Sequence, residues 1–140
     1  MKIERVFADT NLFLRYLTND LPAQADAVER LLHRAAAGEI VLETNSLVIA
    51  EIVRTLESYY GLGRDSIKSK ILAILNTPGL VVSEGDVVLQ AISWYADKNV
   101  DFADAFNAAW LLAQGLATAY TFDHKHFSRL EGITVQVPGE

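Results

Sequence analysis

Apolar positions along this chain fall into short runs that alternate with longer stretches of helical spacing. Residues 3–8 read as a first strand and 10–17 as a short helix, followed by a turn through Thr18-Asn19-Asp20-Leu21-Pro22. A second helix over 23–37 has Pro22 just inside its start and Gly38 just past its end, the asymmetry that helix termini favour. Residues 40–43 form the second strand. Ser46 can cap a third helix running to about residue 60, where Gly61-Leu62-Gly63 stops it. Asp65 or Ser66 starts a fourth helix that ends near Asn76, before Thr77-Pro78-Gly79, and 80–83 is the third strand. Asp86 caps a helix to about Lys98, with Val87, Val88, Ala91, Ile92 and Tyr95 at helical spacing. Asp101 caps the next, which ends at Gln114-Gly115. The fourth strand lies within 116–122, a short helix covers 125–130, and 133–137 is the fifth strand.

Alternating strands and helices predict an α/β fold, one domain over residues 1–140, with a parallel sheet covered on both faces and right-handed crossovers. In open sheets of this kind ligands bind outside the carboxyl ends of the strands. Asp9 and Asp123 each fall at such an end.

Composition narrows the chemistry. At 140 residues, 51% hydrophobic and 21% charged, the chain can build a substantial core. It has no cysteine, which excludes disulfides, thiolate metal sites and cysteine nucleophiles. Met1-Lys2-Ile3-Glu4-Arg5 does not have the pattern of a secretory signal. The most apolar stretch, 102–122, contains Asp104, Asn107, Gln114 and Gly115, so it reads as a helix and a strand rather than a membrane span. A soluble, cytoplasmic protein is expected. The net charge of −6 weighs against gripping nucleic acid by a basic stripe, although bound divalent cations would reverse the local potential.

Acids in apolar surroundings change the picture most. Asp9 follows the first strand, and Glu51 interrupts Leu47-Val48-Ile49-Ala50-Glu51-Ile52-Val53. Asp104 lies in Asp101-Phe102-Ala103-Asp104-Ala105-Phe106, and Asp123 closes Ala119-Tyr120-Thr121-Phe122-Asp123. Carboxylates are rarely buried unless they are paired or bind a metal. Two such charges about 4 Å apart repel by roughly 4 kcal/mol at a surface-like dielectric. A gathered cluster therefore needs a cation, and carboxylate oxygens suit magnesium or manganese, as one or two ions. Each acid also has an ordinary reading. Asp9 and Asp123 can be N-caps, and Glu51 can lie on a solvated stripe beside Arg54. Asp101 is assigned a capping role first, with Asp104 in the same first turn. Joint occurrence, rather than any single acid, favours a metal site.

Other motifs carry less. His124 and His126 flank Lys125 without an HExxH pattern or a cysteine pair, and read as surface residues beside the site. Ser46 lacks a G-x-S-x-G elbow, and Gly61-Leu62-Gly63 lacks the glycine and lysine of a phosphate loop. Trp94, Tyr95 and Trp110 read as packing residues.

Taken in order, these residues resemble the PIN-domain ribonucleases, specifically the VapC-like toxins of prokaryotic toxin–antitoxin pairs. The resemblance spans essentially the whole chain. It is carried by Asp9-Thr10-Asn11, Glu51, Asp101-Phe102-Ala103-Asp104-Ala105, and Thr121-Phe122-Asp123 followed by Phe127. It implies a three-layer α/β/α sandwich with a central, mostly parallel five-stranded sheet. It also implies a metal-dependent endoribonuclease that cleaves RNA phosphodiester bonds, with Asp9, Glu51, Asp104 and Asp123 as catalytic acids holding Mg2+ or Mn2+. Thr10, Asn11, Asp101 and Thr121 would support that site, and Arg15, His124, Lys125 and His126 are candidates for contact with substrate phosphate. The implied partners are single-stranded or looped RNA, a cognate antitoxin protein and a second copy in a homodimer, with no membrane. Phe106-Asn107 departs from the family, where an aliphatic pair is commoner; Asn107 either bonds into the site or faces solvent.

Two rival readings stay open. A different Mg-dependent α/β phosphohydrolase would present adjacent acids at one strand end, and Asp9-Thr10-Asn11 lacks the second acid. A non-catalytic interaction module would use Leu12, Phe13, Tyr16 and Leu17, or the stripe Ile67, Ile71, Leu72 and Leu75.

Overall fold

Three strands of the first 85 residues pair in parallel in the order β1-β2-β3: β1 (Glu4–Phe7), β2 (Ile40–Thr44) and β3 (Leu80–Val82). Val6 lies opposite Leu42, and Leu42 opposite Leu80. Parallel neighbours need long crossovers. These are supplied by α1 (Thr10–Thr18) and α2 (Pro22–Ala36), then by α3 (Ser46–Ser58) and α4 (Arg64–Leu75). The remaining elements are α5 (Gly85–Asp97), α6 (Phe102–Ala113), β4 (Thr118–Tyr120), α7 (His124–Phe127) and β5 (Thr134–Gln136). β4 and β5 pair in parallel with each other. This computed structural model describes residues 2–139, which divide into two compact units, one up to Gly85 and one from Asp86 onward. Among the described residues, no helix is long and apolar enough to cross a membrane.

The α/β class and the parallel pairing agree with the sequence. The expectation of one five-stranded sheet is corrected: hydrogen bonding groups the strands as three and two. Alternating hydrophobicity identifies a strand but carries no information about which edges pair. Cover is complete on one face of β2, where Ile40, Leu42 and Thr44 are buried, and partial on the other, where Val41 and Glu43 are half-buried; β1 is exposed along its length.

Helix starts also shift, for local reasons. Asn45, not Ser46, caps α3: its side-chain oxygen accepts from the Val48 N–H at 3.1 Å. Asn and Ser are similar caps, and the residue just before the first turn takes the role. α4 begins at Arg64 and α5 at Gly85, so Asp65 and Asp86 lie in first turns instead, favourably placed for the helix dipole.

In the first unit, Ile49, Ile52, Leu56, Ile67 and Ile71 are fully buried. The α4 stripe offered as an interaction surface is thus buried at Ile67 and Ile71, leaving Leu72 and Leu75 half-buried. In the second unit, Tyr95 packs edge-on against Phe102 with ring centroids 6.4 Å apart. Arg129 Nη1 donates to the Asn99 carbonyl at 2.6 Å, where the chain turns with Asn99 at a φ of 54°.

Gly79 is required by its turn. Its φ is +80°, and a Cβ there would lie 2.3 Å from the Ala35 carbonyl oxygen. Gly61 has a similar φ of +64° but nothing within 4 Å. Gly61→Ala is expected to cost about 1 kcal/mol for the left-handed backbone alone, and Gly79→Ala clearly more because backbone must move. Urea unfolding of the two variants measures the difference.

Asp20 fastens the end of α1 to the end of α3. Its carboxylate accepts from the Tyr60 hydroxyl at 2.7 Å, the Thr18 hydroxyl at 3.0 Å and Arg15 Nη1 at 3.2 Å. The Tyr60 and Thr18 hydrogen bonds hold the Asp20 carboxyl below its ordinary value, with a smaller contribution from Arg15. A depressed carboxylate contributes stability above its unfolded value and loses it as pH falls through the folded one. Asp20→Asn should therefore flatten part of the acid limb of stability below roughly pH 4 and leave its shape near neutrality unchanged. Melting temperatures across that range test this.

Candidate metal centre

The carboxyl end of β1 is tied down before its acid appears. The Ala8 N–H donates to the Glu43 carbonyl at 2.8 Å, and the buried Thr44 hydroxyl donates to the Ala8 carbonyl at 2.9 Å. Both polar backbone groups of Ala8 are satisfied, and the chain turns straight into α1. Asp9 occupies the N-cap position of α1, yet its side chain makes no cap hydrogen bond. The ordinary explanation of Asp9 as a helix cap is therefore not what this geometry shows, and its carboxylate is exposed.

Thr10, nearly buried, turns its hydroxyl to Glu51 and donates to Oε2 at 2.9 Å. Glu51 stands on α3 among Val48, Ile49, Ile52 and Val53, all buried, and is itself exposed. Helical spacing explains this: the neighbours in sequence take the core face and Glu51 takes the flank. Its hydrogen-bond partner is on another helix, rather than the Arg54 expected on its own. Asn11 lies exposed in the first turn of α1. Arg15 is engaged with Asp20 at 3.2 Å.

The second unit holds the denser cluster. Asp101 is the N-cap residue of α6, and again no side-chain cap bond forms. Asp104 follows in the first turn. His126 on α7 places Nδ1 2.7 Å from Asp104 Oδ2 and 3.8 Å from Asp123 Oδ2. One ligand atom each from Asp101, Asp104 and His126 lie within 4.8 Å of one another. Asp123 does act as a cap, accepting from the Lys125 N–H at 3.2 Å, and its own N–H donates to the Thr121 hydroxyl at 2.9 Å. His124 and Lys125 are exposed beside it, and Asn107 is exposed on α6.

Capping was the first role assigned to Asp101, and that is corrected by its unbonded side chain. A favourable cap residue type does not guarantee a cap bond, because the side chain can turn toward other charges. His126 was read as a surface residue with a possible substrate contact, and its place among the acids was not foreseen. The usable signal was the spacing Asp123-x-x-His126, which sets both side chains on one face of a helical turn.

The donor set suits a divalent cation. Carboxylate oxygens suit magnesium or manganese, while imidazole suits first-row transition ions. Helix N-termini hold the acids in place, since Asp9, Asp101, Asp104 and Asp123 all sit at or in the first turn of a helix.

A model of the PIN domain family matches residues 6–133. Among solved structures, the chain is similar to VapC20 of Mycobacterium tuberculosis, described as a sarcin-ricin loop cleaving toxin. That match has 20% identity and a TM-score of 0.40, and covers 88% of this chain and 93% of that one. It is also similar to VapBC2 from Rickettsia felis, described as bound to a DNA fragment from its promoter. There the identity is 14% and the TM-score 0.39, with 95% of this chain and 98% of that one covered. Comparison with curated proteins gives no match.

The Thr10–Glu51 contact yields its own test. Thr10→Val keeps the shape and removes the donor, so stability should fall by roughly 1 kcal/mol, while Thr10→Ser should retain most of it. Denaturant midpoints at fixed pH read the difference.

Proposed function

Because the chain belongs to the PIN domain family, we propose that it is a Mg2+- or Mn2+-dependent endoribonuclease, the toxin of a toxin–antitoxin pair. The observation that most supports this reading is the convergence of Asp104, Asp101 and His126, with the Asp101 side chain making no cap bond and Asp123 Oδ2 3.8 Å from His126 Nδ1. The matched stretch runs through both compact units, so we read residues 1–140 as a single PIN-like domain.

Asp9, Glu51, Asp104 and Asp123 are the proposed metal-holding and catalytic acids. The ion, when bound, would supply Lewis-acid activation of water and neutralise charge developing on the phosphate. The chain's own residues do the rest. Thr10 orients Glu51 through its hydroxyl, and Thr121 fixes the backbone of Asp123. Glu51 or Asp123 can accept the proton from the attacking water. Lys125 and His124, exposed beside Asp123, are placed for contact with phosphate. Arg15 would have to leave Asp20 to do the same. Single-stranded or looped RNA is the proposed substrate, because its backbone can enter a concave site without a duplex in the way.

The inhibitor in this reading is a cognate antitoxin protein, and the active form a homodimer in the cytoplasm. An open groove lined by Tyr16, Leu32, His33, Ala73 and Pro78 gives an apolar segment of such a partner a place to dock. Binding there and cleavage at the acids can coexist, so the interaction-module reading becomes part of the enzyme reading.

Cleavage of cellular RNA with magnesium or manganese tests the proposal. EDTA should abolish it, and Asp104→Asn or Asp9→Asn should each slow it at least about 100-fold. Cleavage that survives both EDTA and Asp9→Asn overturns the proposal.

A further inference from the structure

We propose that His126 is a nitrogen ligand of the divalent ion and tilts the site toward manganese over magnesium. This deepens the metal-dependent reading above and rests on it. Two donors at right angles on an ion with bonds of about 2.1 Å lie about 3 Å apart. His126 Nδ1 and Asp104 Oδ2 are 2.7 Å apart, the spacing of neighbouring ligands.

A plain His–Asp pair would also bring those two atoms together. It would not account for Asp101, whose carboxylate makes no cap bond and yet joins the same cluster within 4.8 Å. Nor would it call for Asp123, whose Oδ2 lies 3.8 Å from the same ring nitrogen. The His126 side chain is only 20% exposed, so its ring is held against the acids instead of swinging free in solvent. Two separate pieces of chain, Asp101–Asp104 and Asp123–His126, direct donors at one place.

The chemical consequence is selectivity. Magnesium dehydrates reluctantly and is held through oxygen, whereas manganese, equally suited to carboxylates, is the softer of the two and takes an imidazole in its shell more readily. A mixed nitrogen and oxygen set should therefore hold manganese more tightly than magnesium, and the preference should vanish with the imidazole.

The test uses the full 140-residue chain loaded with manganese alone. Pulsed electron paramagnetic resonance should show coupling from one directly bound 14N nucleus. His126→Gln should abolish that coupling and reduce manganese affinity about 10-fold or more while changing magnesium affinity little. His124→Gln should leave both unchanged, and circular dichroism of each variant verifies folding. Affinity alone does not separate a ligand from a positioning residue, since either loss weakens binding. The nitrogen coupling does. Tight manganese binding without 14N coupling, or coupling that persists in His126→Gln, overturns the role of His126 and leaves the metal-dependent reading standing. Absence of manganese binding together with RNA cleavage in EDTA overturns both.

Discussion

Holding Asp101 and Asp104 close together, with Asp123 beside the same histidine, is the constraint around which the second unit is arranged. Two unit charges about 4 Å apart repel by roughly 4 kcal/mol near a protein surface. The chain meets that repulsion with geometry before any cation arrives. Asp101 and Asp123 stand at helix N-caps and Asp104 in a first turn, where the positive end of the helix dipole offsets part of the charge, and Asp9 of the first unit stands likewise at the N-cap of α1. Only Asp123 spends its oxygen on the helix it begins. Asp9 and Asp101 keep their side chains free of cap bonds, so the dipole steadies them without occupying their lone pairs. An acid that is placed by a helix but not used by it is available for ligand work.

The same economy appears in how the two first-unit acids proposed for the site are fixed. Neither Asp9 nor Glu51 is buried, and neither could be held by packing alone. Asp9 inherits its place from Ala8, whose N–H and carbonyl are both bonded to β2. Glu51 inherits its place from the buried face of α3 and is then oriented by the Thr10 hydroxyl. Thr10 is therefore both part of the core, at 8% exposure, and a donor to the acid beside it. Removing it would loosen the site without touching a ligand.

Most elements of the fold were legible because their signals are local. Helix periodicity, Pro22 at the start of α2 and the strand runs all follow from neighbours in sequence, and the structure places those elements within a few residues. Sheet pairing was not legible, since strands of three residues such as β4 and β5 record nothing about their partners. The cap of α3 was missed by one residue because Asn45 and Ser46 are chemically similar caps. At the site, the positions of the acids on their elements could be read from spacing. The relation of Asp104 to His126, twenty-two residues apart, is a tertiary fact that no local pattern encodes. Asp101 misled for the opposite reason. Its local pattern fits a cap, and nothing local records that its side chain turns to other groups instead.

Charge bears on how such a chain could take a polyanion. Twelve Lys and Arg residues face eighteen Asp and Glu, and several of the cations are already engaged. Arg5 forms a two-pronged pair with Glu43, Arg15 pairs with Asp20, and Arg34 lies 3.7 Å from Glu39. In the second unit Lys125 and His124 are exposed beside Asp123. A backbone of phosphates would meet net repulsion from this surface unless the acids were first neutralised. Divalent cations at the carboxylates would supply that neutralisation at the point where a phosphate must sit. In the proposed enzyme, metal loading would precede productive binding of substrate, and the acidic surplus would confine attraction to the metal centre instead of spreading it over the molecule.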